Sequence, residues 1–243
     1  MLLCIPQLGG TASVFADWAR HGIPELDVAA VQLPGRGVRI NELPVERMDW
    51  LVQDMGRSIG PSLHESYCVF GQCLGGIIAY ELTGWLMMAG YAIPSHLFVS
   101  GCGAPDTAGV SSAAADASDE DLIAQIRRWG GTPDEALARP DVMALMLPAL
   151  RSDLRLFSRY TGASSPQVDV SITAFRGSAD PEVTPEAIAG WRHYTTGRFV
   201  SREFPGGHFL DAAVLMGAMR QELRGSGLTT RTVAAGKEEW RRF

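Results

Sequence analysis

Long apolar runs are missing from this chain of 243 residues, and none reaches the length of a membrane span. Met1-Leu2-Leu3-Cys4-Ile5-Pro6 also lacks the charged start and long apolar core of a secretory signal, so a cytoplasmic protein without a membrane partner is expected. Positive charge is scarce. The 21 Lys and Arg stand against 27 Asp and Glu, a formal net charge of -6, and no basic stripe occurs before the last few residues, which argues against a nucleic-acid partner. Cysteine is sparse too: the four residues Cys4, Cys68, Cys73 and Cys102 form no C-x-x-C pair, and no histidine stands at zinc spacing. This excludes a disulfide framework and a zinc site, and no metal is expected. A P-loop is absent, and Gly101-Cys102-Gly103 lacks the third glycine and following helix of a dinucleotide fingerprint. Cys4, Cys68 and Cys102 read as small buried hydrophobes, which leaves Cys73 as the one cysteine with a motif around it.

What is present is an ordinary globular composition, 46% hydrophobic and 20% charged, at a length that suits one α/β domain better than two small ones. We place that domain at residues 1–225 and read 226–243, which ends in Trp240-Arg241-Arg242-Phe243, as a polar, frayed tail. Strands are expected at Leu2 to Ile5, Val28 to Gln32, around Val69, at His96 to Ser100, at Val168 to Phe175 and at Phe199 to Phe204. Helical patterns fall between them: around Phe15 and Trp18, from Met48 to Ile59, from the central motif to about Gly90, after the Thr184-Pro185-Glu186 cap, and after Leu210. This alternation predicts a mostly parallel, doubly wound sheet, with functional groups gathered at the carboxyl ends of the strands.

One stretch between the fourth and fifth strands breaks the alternation. Thr107 to Ala117 is rich in small residues without a period and is expected to be a mobile connection. Ser118-Asp119-Glu120-Asp121 then opens a capped helix, Pro133 and Pro140 each stand where a helix can begin, and Met143, Leu147, Leu150, Leu154 and Phe157 follow helical spacing. A block of helices rich in methionine and leucine, about 107–162, suits an inserted lid over an apolar pocket, although packing alone explains each residue in it.

The chemistry centres on Tyr67-Cys68-Val69-Phe70-Gly71-Gln72-Cys73-Leu74-Gly75-Gly76. An apolar strand enters Gly-x-Cys-x-Gly and leaves as a helix, the spacing of a nucleophile elbow with cysteine at its tip. Glycines two before and two after the nucleophile let the strand and helix backbones pass closely, and the helix N-terminus favours negative charge where the sulfur and an oxyanion would sit. Asp180 follows the fifth strand and His208 follows the sixth. Nucleophile, acid and histidine therefore occur in the order of an α/β-hydrolase triad. In it His208 would take the proton of Cys73, and Asp180 would fix the imidazole tautomer. Each alone has a structural alternative: Asp180 before Pro181 suits a turn, His208 after two glycines suits a helix cap, and glycines beside a cysteine suit close packing.

The chain resembles the type II thioesterases of polyketide and nonribosomal peptide biosynthesis from Leu3 to about Leu215. The resemblance lies in Pro6-Gln7-Leu8-Gly9-Gly10, Val31-Gln32-Leu33-Pro34-Gly35-Arg36, the elbow, Leu97-Phe98-Val99-Ser100-Gly101, Leu147-Pro148-Ala149-Leu150-Arg151-Ser152-Asp153, Ile172-Thr173-Ala174-Phe175 and Phe204-Pro205-Gly206-Gly207-His208-Phe209. It implies an α/β-hydrolase fold with a helical lid, a Cys73-Asp180-His208 triad, and an oxyanion hole from the backbone N–H of Leu74 with that of Leu8 or Gln7. It also implies an acyl substrate that arrives on the phosphopantetheine arm of an acyl or peptidyl carrier protein, with no cofactor of the enzyme's own; a monomer is expected. Against the family's usual Gly-His-Ser-Met-Gly, Gln72 replaces histidine, which makes it a candidate modulator, and Cys73 replaces serine. Gln7-Leu8 stands where an aromatic residue and alanine are common, and Cys102-Gly103 where two arginines are.

A cysteine nucleophile exchanges one thioester for another and so keeps the acyl group activated, which points to transfer or cyclisation as well as hydrolysis. Ordinary hydrolytic editing of stalled chains is one alternative, and a non-catalytic carrier-protein-binding homologue is another. Arg36, Arg127, Arg128, Arg151 and Arg155 are candidate contacts for an acidic carrier protein, although solvated surface or pairing within the chain explains most of them as well. His21, His64, His96 and His193 have no motif around them and are read as structural.

Overall fold

The computed structural model describes residues 1–21, 26–63, 66–109, 111–162 and 166–225. The tail and His64 lie outside these residues. Six strands form one sheet: β1 (Leu2–Ile5), β2 (Val28–Ala30), β3 (Cys68–Gln72), β4 (His96–Ser100), β5 (Ser171–Gly177) and β6 (Phe199–Phe204), in the order β2-β1-β3-β4-β5-β6. All five pairings are parallel. Alternation along each strand explains the two cores. Leu2, Cys4, Phe70, Phe98 and Phe175 face the layer of α1 (Ala16–His21) and α8 (Ala212–Gly225), where they meet Phe15, Trp18, Leu215 and Met219. Leu3, Ile5, Val69, Leu97, Val99 and Ile172 face the other layer, α2 (Met48–Ile59) and α3 (Leu74–Met88). α3 is apolar almost all round, as suits a helix buried between the sheet and α2.

Two strands differ from the expected limits. β2 ends at Ala30, although Val31 still donates to the Cys4 carbonyl at 2.8 Å. β5 starts at Ser171 because Val168 instead makes an isolated bridge to Thr195 beside the sheet. The stretch Thr107 to Ala117 also differs: Ser112–Asp116 is a 3-10 turn, and Ala115 is buried among the helices of the insertion. Three helices follow, α4 (Asp119–Trp129), α5 (Asp134–Leu137) and α6 (Pro140–Ser158). The Ser118 side chain caps α4 by accepting the Asp121 N–H at 3.1 Å, as its capping-box pattern predicts. Leu122, Ile126, Leu137, Met143, Leu147, Leu150 and Leu154 give this block a core of its own. A short helix, α7 (Pro185–Ala189), packs beside the carboxyl end of β5 and is capped by Thr184.

Candidate active site

The strand order reverses at β1, with β2 on one side and β3 on the other, so the loops after β1 and β3 diverge from a crevice at the carboxyl end of the sheet. Cys73 stands at that point as N-cap of α3, with φ 52° and ψ -124°. A positive φ in a non-glycine residue carries strain, and here it turns the chain from strand into helix within one residue. The turn depends on close backbone approach: a Cβ at Gly71 would collide with the carbonyl oxygen of Gly75, and one at Gly75 with those of Ile5 and Pro6. The Cys73 N–H donates to the Ser100 carbonyl at 2.9 Å, which ties the elbow to β4. The sulfur's residue is partly exposed, whereas Cys4, Cys68 and Cys102 are buried. Burial pushes the thiol pKa of Cys68 and Cys102 up, in keeping with inert packing residues.

His208 and Asp180 meet across 28 residues of sequence. Nδ1 of His208 lies 3.1 and 3.0 Å from the two carboxylate oxygens of Asp180, and both residues are buried. Oδ1 of Asp180 also accepts the N–H groups of Glu182 at 2.8 Å and Val183 at 3.3 Å, so the turn after β5 holds the acid in place. Burial alone would raise the carboxyl pKa, but the bonds from His208 and the two amides outweigh it and lower it. Burial likewise opposes the charged imidazole. The Asp180 bond and the hydrogen-bonding proximity of the Cys73 sulfur overcome it and raise the His208 pKa to about 10. His208 and Asp180 are thus joined by hydrogen bonds, and Cys73 at the elbow acts on the charge of the imidazole. The carboxylate faces Nδ1 and so fixes the orientation of the imidazole.

Leu74 is the first residue of α3, and its N–H belongs to the open first turn of that helix. Leu8 and Gln7 lie in a tight turn after β1 in which the Gly10 N–H donates to the Gln7 carbonyl at 2.9 Å. Gln7, Leu8, Trp129, Met146, Leu150 and Phe209 line a narrow cleft of about 30 Å³ between this turn, the insertion and the residue after His208. A larger groove of about 610 Å³ lies elsewhere, bounded by Met48 and Val52 of α2, Glu81 of α3 and Arg159, and none of the triad residues lines it. Gln72 is buried at the end of β3.

Of the arginines considered for a partner surface, Arg36 needs correction, and the others pair within the chain, as the alternative reading allows. Arg36 is buried against Asp153, which removes it from any partner surface. Arg127 pairs with Asp134, Arg151 with Asp119, Arg155 with Glu46, and Arg128 bonds Gln125. His96 is buried, with Nε2 2.8 Å from the Thr173 hydroxyl and its pKa pushed down to about 4 by burial, consistent with a structural role. Two arrangements had no sequence signal that linked their members. Asp153 accepts the Gly9 N–H at 2.8 Å, and Trp191 donates to the Cys102 carbonyl at 2.8 Å beneath the site.

An elbow at the switch point of a parallel sheet, with acid and histidine after the next strands, defines an α/β-hydrolase fold. Residues 1–214 match the thioesterase domain family, and the chain belongs to it. It is 33% identical over 208 residues to the gramicidin S biosynthesis protein GrsT of Aneurinibacillus migulanus, covering 86% of this chain and 81% of that one. Thioesterase PikA5 of Streptomyces venezuelae is 32% identical over 209 residues, with 86% and 74% covered. Among solved structures, RedJ, a thioesterase from the prodiginine biosynthetic pathway in Streptomyces coelicolor, is 38% identical with a TM-score of 0.85, covering 91% of this chain and 85% of that one. The type II thioesterase BorB from the borrelidin biosynthetic cluster is 32% identical with a TM-score of 0.83 and 92% of each chain covered.

Proposed function

We propose that this protein processes acyl or peptidyl thioesters delivered on the phosphopantetheine arm of a carrier protein, through an acyl group held on Cys73. The reading is supported above all by the strained elbow that presents Cys73 to a His208 imidazole already bonded to Asp180. His208 holds the proton drawn from the Cys73 thiol, and the sulfur attacks the thioester carbonyl. The tetrahedral oxyanion takes N–H bonds from Leu74 and from Leu8 or Gln7. Its collapse breaks the carbon–sulfur bond to the pantetheine, whose sulfur receives the proton from His208. The acyl-Cys73 that remains is still a thioester. An amine, hydroxyl or carbanion of the chain itself or of a second molecule then displaces Cys73, or water does, and the sulfur recovers a proton through His208. The insertion, residues 107–162, acts as the lid over the acyl chain in a single domain spanning 1–225.

Intact-mass analysis after incubation with an acylated carrier protein is expected to show the acyl group on Cys73. Products formed with and without an added amine then separate transfer from editing, since free acid alone under both conditions would leave hydrolysis as the reaction. Iodoacetamide is expected to label Cys73 faster than an ordinary thiol at neutral pH, and slow labelling would point to a non-catalytic carrier-binding role.

A further inference from the structure

Beside the triad, three distant segments converge on one carboxylate. Asp153, in the middle of α6, receives two bonds from Arg36 in the loop after β2: Nη1 to Oδ2 at 2.5 Å and Nη2 to Oδ1 at 2.6 Å. Its Oδ2 also accepts the Gly9 N–H of the loop after β1 at 2.8 Å. Arg36 is 4% and Asp153 3% exposed. A buried ion pair of this kind adds little net stability over an apolar pair of similar volume, because desolvation consumes most of the attraction. Its distinctive capacity here is to present a fixed acceptor to a backbone donor.

That acceptor anchors the peptide next to the one that carries the Leu8 N–H. The bond to Asp153 fixes the peptide plane between Leu8 and Gly9, and the Gly10 bond to the Gln7 carbonyl fixes the plane between Gln7 and Leu8. In a trans peptide the N–H points opposite to the carbonyl, so anchoring the Gln7 oxygen aims the Leu8 N–H away from the turn. Gly9 has φ 67°, a conformation suited to glycine, and a Cβ there would stand 3.3 Å from Cβ of Leu150, one turn before Asp153 on α6. The loop is therefore seated on α6 by a contact as well as by the hydrogen bond.

We propose that Asp153, oriented by Arg36, is a positioning residue that holds the loop after β1 so that the Leu8 N–H meets the developing oxyanion. The proposal rests on the acyl-Cys73 reading above. The double variant Arg36→Met/Asp153→Leu removes the acceptor while leaving no unpaired buried charge. We expect Cys73 acylation from an acyl-pantetheine thioester to slow about 10²–10³-fold, chiefly in kcat rather than KM. Alkylation of Cys73 by iodoacetamide passes through no oxyanion and is expected to stay at the wild-type rate. Asp153→Glu, which shifts the acceptor by one methylene, serves as a second variant and is expected to lose about 10-fold by the same two readouts. Acylation within twofold of wild type in either folded variant, or alkylation falling in step with acylation, overturns the positioning role alone. A wild-type protein that alkylates at Cys73 but is acylated by no thioester overturns both this role and the proposed function.

Discussion

The floor of the site and the helices over it are held by different kinds of contact. Below, the elbow and the turns after β5 and β6 touch backbone to backbone, and added Cβ atoms at Gly71, Gly75 or Gly177 would strike carbonyl oxygens. Above, α4 to α6 meet one another and Leu8 through leucine, isoleucine and methionine side chains. Backbone contacts admit one residue type, while apolar side chains of similar volume exchange with little loss. The floor is thus committed to one geometry for the reacting atoms, and the roof is free to vary in shape.

Substitutions graded across this divide test it. Cys73→Ala is expected to lower thioester turnover by on the order of 10⁶-fold and abolish the acyl adduct, read by mass spectrometry. Cys73→Ser in the same assay should keep acylation but shift products toward free acid. Asp180→Asn is expected to reduce kcat by about 10⁴-fold, because the imidazole loses its fixed tautomer. The same change should cost about 2 kcal/mol of stability at neutral pH. Asp180 has a lowered pKa in the folded state, so its contribution is present above the unfolded carboxyl value and fades as pH falls through the folded one. Urea titrations should therefore separate wild type from variant at neutral pH and bring them together in acid. Gly75→Ala, on the floor, is expected to destabilise the fold by about 3 kcal/mol, measured by the same titration. Leu147→Met, in the roof, should cost less than about 1.5 kcal/mol and shift KM a few-fold with kcat retained. Leu145→Ser, at a position 63% exposed on α6, should stay within about 0.5 kcal/mol. A roof change that altered kcat as strongly as Asp180→Asn would break the distinction.

The same divide explains what could be read from the chain. Gly71-Gln72-Cys73-Leu74-Gly75 encodes its own geometry locally, so the elbow was legible, as were Thr184 and Ser118 as caps. Asp180 and His208 were found by their order and their places after strands. The partnership of Arg36 with Asp153 was not, because 117 residues separate them and either charge alone reads as surface. Residues Ser112–Asp116 escaped notice because small side chains carry no period, and what fixes the turn is burial of Ala115 among the inserted helices. Val168 looked like a strand residue since alternation records which side is apolar, and a single bridge to Thr195 has the same signature.

The backbone at Cys73 sets function against durability. With φ at 52°, the position would suit glycine better than any residue bearing a nucleophile, and relief of such strain is worth about 1–3 kcal/mol. Selection for thermal robustness alone would accordingly drift toward an inert protein at this one position, while reactivity keeps the molecule less stable than its own fold permits.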